Sequence, residues 1–126
     1  MDNIKIGASA RTPEVDFDFA ANAFSLKGEC YPENIAEFFA PLMDRLKEHL
    51  ARQRGARVDF SFALVYFNSS SAKAILGLFD LLEATAKAGN EVAISWACEE
   101  GDDMQEMGEE FAEDLQAAKF RLCPSE

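Results

Sequence analysis

Histidine is nearly missing from this sequence: His49 stands alone among 126 residues. A zinc site built on histidine and cysteine therefore has no ligand spacing to draw on. Cys30, Cys98 and Cys123 are odd in number and far apart, which argues against a disulfide framework or a CxxC metal clip. They fit a cytoplasmic protein with reduced thiols. No apolar run approaches the ~20 residues of a bilayer span, so membrane insertion is not expected. The first residues, MDNIKIGASARTPEVD, lack the charged-then-apolar layout of a signal peptide. GxGxxG and P-loop signatures are missing as well, which leaves nucleotide binding unsupported and no cofactor expected. Positive charge is the last scarcity: 12 Lys and Arg face 23 Asp and Glu, a net charge of −11. Nucleic acid is therefore a poor partner, because neutralising phosphates needs a basic footprint.

What is present is apolar. Hydrophobic residues make up 48% of the chain and phenylalanine is the dominant aromatic, enough for one domain over 1–126 with a packed core. The acidic excess is local, since 9 of the 23 acidic residues fall between Glu99 and Asp114, a stretch with no basic residue. Such a run reads as a solvated helix face that aids solubility. It also suits an electrostatic docking surface for a basic partner.

The most informative stretch is 57–88, RVDFSFALVYFNSSSAKAILGLFDLLEATAKA. It opens as a strand rich in β-branched and aromatic residues, almost continuously apolar from Phe60 to Phe67, the pattern of a strand covered on both faces. Asn68-Ser69-Ser70-Ser71 stops it. The period then changes: Ile75, Leu78, Phe79, Leu82 and Ala86 share one helical face, with Asn68 or Ser69 as N-cap. Upstream, Ile4–Ile6 predicts a short strand, and VDFDF (15–19) and AFSLKG (23–28) alternate as a hairpin around Ala20-Ala21-Asn22. A helix is predicted from about Glu33 to Arg52, with Pro32 as its first residue or lead-in, Pro41 awkwardly inside and Gly55 as its stop. Downstream, EVAISWA (91–97) predicts a strand. A third helix follows from a cap at Asp102 or Asp103 to about Gln116, and Lys119–Cys123 closes as a strand. The order β-β-β-α-β-α-β-α-β implies an α/β fold with a single mixed β-sheet, packed mainly on one side by helices.

Chemistry is hard to place on this frame. A Ser–His–acid triad would need His49 beside Ser69, Ser70 or Ser71, and no GxSxG elbow accompanies them. Asp102, Asp103 and Glu106 could attract a cation, but the EF-hand pattern is missing, so no metal site is expected. The serine cluster has two readings. One is capping alone, since Asn and Ser are the usual N-caps. The other is a regulatory phosphosite, in which a phosphoryl group of about −1.5 to −2 charge sits at a helix N-terminus with Lys73 one turn on.

The run YFNSSSAKAILGLFDLLE, the strand carrying Trp96, the stretch DDMQEMGEEFAEDL and the early segment TPEVDFDFAANAFSLKGECYPEN closely resemble the SiaC family of bacterial regulatory phosphoproteins. The resemblance spans nearly the whole chain and implies a STAS-like fold, as in anti-sigma-factor antagonists. It implies a non-enzymatic partner switch: the unmodified protein binds and activates a GGDEF diguanylate cyclase, raising cyclic di-GMP and favouring biofilm. A cognate protein kinase then phosphorylates the hydroxyl residue after the Asn, which releases the cyclase, and a PP2C-type phosphatase reverses the step. Carried over, the phosphoacceptor is Ser69; the neighbouring hydroxyls leave Ser70 and Ser71 as lesser alternatives, and the partner-binding residues expected at this junction are Asn68, Ser69, Ser70 and Lys73. The other readings are a constitutive STAS-like docking module, or an anti-sigma-factor antagonist acting on a different partner.

Overall fold

Residues 3–99 and 101–124 are described by a computed structural model. The elements are β1 (Ile4–Ile6), β2 (Glu14–Asp18), β3 (Ala23–Cys30), α1 (Ile35–Leu50), β4 (Arg57–Phe67), α2 (Ser69–Lys87), β5 (Glu91–Cys98), α3 (Asp103–Ala112) and β6 (Lys119–Pro124). All the strands join one sheet, whose spatial order is also the sequence order. β1, β2 and β3 run antiparallel, whereas β3, β4, β5 and β6 are parallel neighbours joined through the helices. A right-handed crossover that always steps the same way along a sheet lays its helix on the same face each time. The three helices therefore cover one face, and β4 lies inside the sheet as the sequence implies.

That topology corrects one expectation. β4 is not covered on both faces: Val58, Phe60, Phe62 and Leu64 are buried, while Ser61 is exposed and Val65 is 68% exposed. The apolar run looks continuous for two reasons. Ala63, on the open face, is apolar but small. Beyond it, Gly28 pairs with Leu64 and Glu29 with Tyr66, which leaves Val65 as the extra residue of a β-bulge. The bulge turns Val65 and Tyr66 outward and returns Phe67 to the core just before α2 begins.

The core is aromatic. Phe62 stacks on Phe60 at 4.6 Å and on Phe79 of α2 at 5.3 Å. Trp96 of β5 lies 5.3 Å from Phe62 and 5.7 Å from Phe111 of α3. These rings tie the two central strands to two helices, each ring burying a large apolar area.

The helix bounds differ from expectation for local reasons. α1 starts at Ile35, not Glu33, because Asn34 is its cap and accepts from the Glu37 N–H at 3.1 Å. Pro32 thus precedes the cap, which is the lead-in of the two expected roles. Pro41 sits within α1 at an exposed position, where the carbonyl left without its amide can face water. α1 ends at Leu50, ahead of Arg52, and Gly55 (φ 62°) serves the turn into β4. α3 ends at Ala112 rather than Gln116, because Glu83 of α2 takes up the amides beyond it. Its carboxylate accepts from Gln116 at 2.9 Å, Ala117 at 3.0 Å and Ala118 at 2.8 Å.

Candidate functional site

The site is built where β4 becomes α2. Asn68 is extended (φ −93°, ψ 178°) and its Oδ1 accepts from the Ser71 N–H at 2.9 Å, so Asn68, not Ser69, is the cap. Ser69 and Ser70 occupy the first helical positions, both exposed. Neither hydroxyl makes a hydrogen bond among the described residues, so their hydroxyls are not needed to start the helix.

Ser71 differs. It is fully buried, and its hydroxyl has no well-formed hydrogen bond among the described residues. Its polar neighbour is the Cys30 thiol, whose pKa burial pushes up while the Ser71 hydroxyl draws it back. Of the three candidate acceptors, Ser71 is therefore the one that no enzyme can reach in the folded chain.

Charge singles out the same corner. The first turn of α1 carries Glu37 and that of α3 carries Asp103 and Glu106, but the first turn of α2 carries no acidic residue. The partial positive charge at this helix end is thus left without a carboxylate. Lys73 lies one turn along and is exposed, with no ion pair among the described residues. Lys73 and Ser70 border a shallow groove between α1 and α2, floored by Ile35, Ala36, Phe39 and Ala74. Beside the corner, the exposed Tyr66 packs edge-on against Tyr31 at 5.5 Å. The structure thus brings Asn68, Ser69, Ser70 and Lys73 to one corner, but leaves Ser71 inside.

His49 is elsewhere. Ala36 lines the groove beside Ser70, and from Ala36 to His49 the helix rises about 20 Å at ~1.5 Å per residue. The imidazole is engaged there: its Nε2 lies 2.6 Å from Asn22 Oδ1, and the ring meets Phe19 edge-on at 5.1 Å. Burial, then nearby positive charge that includes Arg52, lowers its pKa. A Ser–His dyad is therefore ruled out by geometry. No group of three His, Cys, Asp or Glu residues among the described ones could hold a metal, Asp102, Asp103 and Glu106 included. All three cysteines are free thiols, and no helix among the described residues is long and apolar enough to cross a membrane.

Three features are added by the structure. The groove between α1 and α2 joins elements distant in the chain, so no local pattern marks it. Glu83 interrupts the apolar face Phe79-Leu82-Ala86, and a lone carboxylate on such a face is a signal for a buried partner. Its pKa is lowered, chiefly by the Ala118 amide and against the opposing effect of burial. Gly108 lies between Met104 and Phe111 on the stripe facing Trp96; a Cβ there would come within 2.6 Å of the indole.

With this geometry in hand, the likeness to known proteins is specific. Residues 6–125 match the model of the SiaC family of regulatory phosphoproteins. An uncharacterized protein of Pseudomonas aeruginosa strain UCBPP-PA14 is 34% identical over 116 residues, 90% of each chain. The crystal structure of apo-SiaC from Pseudomonas aeruginosa superposes with a TM-score of 0.88 at 31% identity, covering 97% of this chain and 98% of that one. A chain in the crystal structure of the diguanylate cyclase SiaD in complex with its activator SiaC, from the same organism, gives 0.89 at 30% identity, over 97% and 99%.

Proposed function

The chain belongs to the SiaC family of regulatory phosphoproteins, and from that membership we propose that it is a non-enzymatic phospho-switch whose movable part is the α2 corner. In its unmodified form it binds and activates a GGDEF diguanylate cyclase in the cytoplasm. A cognate kinase places a phosphate on Ser69 and the cyclase is released; a PP2C-type phosphatase restores the binding form. SiaC of Pseudomonas aeruginosa is the activator in its complex with the cyclase SiaD, and its fold superposes on this one over almost the full length.

The observation that carries the site is the combination at Ser69. Its hydroxyl is exposed and spared from capping, and it opens a helix with no acidic residue in its first turn. A phosphoryl group there gains from the free N–H groups and partial positive charge of the helix end. The same new charge alters whatever rests against the corner, which is how one modification both holds and switches. Capping by Asn68, which needs no serine hydroxyl, supports this reading over one in which the serines are caps only.

The test uses the whole chain with its kinase, ATP and cognate cyclase. Mass spectrometry is expected to place one phosphate on Ser69 and none on Ser71. Calorimetry is expected to show cyclase binding lost on phosphorylation, by about a hundredfold or more, and Ser69→Ala to remain bound after kinase treatment. Stoichiometric phosphate at Ser69 with unchanged affinity would end the switch reading.

A further inference from the structure

We propose that the open face of the sheet, the one without helices, is a self-association surface: a second copy of this chain packs on it about a two-fold axis running along β4. The surface lies on the side of the sheet away from the helices, and the proposal does not depend on the switch reading above.

The register lays this face out in rows. Lys5, Asp16, Ser25, Ser61, Ser95 and Arg121 are successive neighbours from β1 to β6. In the adjacent row Asp18, Ala23, Asp59, Ala93 and Lys119 follow from β2 to β6. None of these residues is buried. Across β3, β4 and β5 both rows are serine and alanine apart from Asp59. Alanine is depleted in strands, and with serine it leaves the middle of the sheet low enough for another sheet to approach. The flanks differ in sign: β2 carries Asp16 and Asp18, and β6 carries Lys119 and Arg121.

Those flanking charges are barely used within the chain. Among the described residues Asp16, Asp18 and Arg121 form no ion pair, although Lys5 lies beside Asp16. Asp18 accepts from the Ala21 N–H at 3.1 Å and Arg121 donates to the Ser95 hydroxyl at 3.1 Å, neutral partners that leave each charge in place. Lys119 meets Glu91 at 3.8 Å with both side chains largely exposed, a contact that contributes little.

A two-fold axis along β4 exchanges the two flanks without reversing the strands. β2 then lies over β6 of the second copy, β3 over β5, and β4 over its own counterpart. Asp16 faces Arg121 of the second copy and Asp18 faces its Lys119, each pairing occurring twice by symmetry. Asp59 meets its own counterpart on the axis but brings Arg57 with it, 3.3 Å away. An axis across the strands would instead set acid on acid, so charge selects the first arrangement. It also keeps the strands of the two sheets aligned, the usual way for twisted sheets to stack. The contact is small. Strands β2 to β6, at ~4.8 Å spacing and with about five residues each at ~3.3 Å rise, cover roughly 400 Å² per copy. That is about half of a standard interface, so the pairing is expected to be weak and reversible.

The test is sedimentation equilibrium of the full, unmodified chain over a range of concentrations. A monomer–dimer equilibrium with a Kd of about 100 μM is expected, weakened at least about tenfold by ~0.5 M salt. Ser61→Arg, at an exposed position on the axis, is expected to abolish association while leaving the melting temperature of the dilute monomer unchanged. Asp16→Lys and Arg121→Glu are each expected to weaken association at least about tenfold, and the two together to return it to within about threefold of wild type. A chain that stays monomeric into the millimolar range would overturn the proposal. So would a dimer that Ser61→Arg leaves intact, which would put the contact on another surface. Loss in both single reversals with no recovery in the double would overturn the axis along β4.

Discussion

Two corners of this sheet are built to one plan and end with different charge. β4 runs through Asn68 into α2, and β5 is followed by α3 with Asp102 as its cap, both as parallel strands delivering a helix to the same face. Both helices are capped by an Asx side chain: Asn68 accepts from Ser71 at 2.9 Å, Asp102 from Met104 at 3.4 Å. α3 meets its positive end with Asp102 as cap and with Asp103 and Glu106 in its first turn. α2 meets its own with a neutral cap and serines. Charge compensation at a helix end contributes about 0.3–1 kcal/mol per group at the surface. One corner has thus spent its electrostatic stabilisation permanently. The other leaves that end uncompensated, where the phosphate proposed for Ser69 would supply the charge.

The largest test of this contrast strikes the fixed corner. α3 is held by Trp96, whose Nε1–H donates to the Met104 carbonyl at 2.8 Å, and by the close approach of Gly108 to the ring. Gly108→Ala puts a methyl group within 2.6–2.8 Å of three indole atoms, so helix or ring must shift. Helix propensity favours alanine by up to ~1 kcal/mol, but overpacking costs about 1–3 kcal/mol, and the clash is with a buried ring. A net loss of stability is expected in urea unfolding followed by the fluorescence of the lone tryptophan. Equal or greater stability would mean that α3 is loosely seated.

A second test cuts the tie between the two corners. Glu83 of α2 grips the amides of residues 116–118, which leave α3. Because its folded pKa lies below the ordinary glutamate range, the unfolded chain takes up the proton first as pH falls. The stabilisation is therefore complete above the ordinary range and is lost as pH drops through the folded value. Glu83→Gln is expected to be less stable at neutral pH and to lose less on acidification than wild type. Parallel melting curves from pH 7 to pH 3 would show that the grip contributes nothing.

The sequence made much of this visible. The change of period at Asn68 located β4, α2 and the corner between them, and the β/α order was enough for a mixed sheet with helices on one side. One-sided coverage of β4 is not legible, because Ala63 and Val65 are apolar on a face left open, and because a bulge at Val65 cannot be seen in one strand alone. The corner was legible as a phosphosite candidate, yet three neighbouring serines look equivalent in one dimension. Only the helix start separates them: exposed at Ser69 and Ser70, inside at Ser71. The Glu83 grip and the α1/α2 groove depend on contacts between residues more than 30 positions apart, which periodicity does not encode.

The smallest effect compares the caps directly. Losing an Asx cap costs about 0.5–2 kcal/mol. Asn68→Ala removes a short bond beneath an otherwise bare first turn, so a loss of about 1 kcal/mol is expected. Asp102→Ala removes a longer, weaker bond, and Asp103 and Glu106 still compensate the start of α3, so its loss is expected to be no larger. Ser69→Ala removes neither cap nor hydrogen bond and is expected to stay within about 0.5 kcal/mol. The discriminating condition is salt. Raising ionic strength screens the acids at α3 and should shrink the Asp102→Ala loss, while the Asn68→Ala loss, resting on a neutral cap, should hold steady. If Ser69→Ala proves as costly as Asn68→Ala in chemical denaturation, its hydroxyl stabilises the corner after all, and the separation of capping from switching collapses.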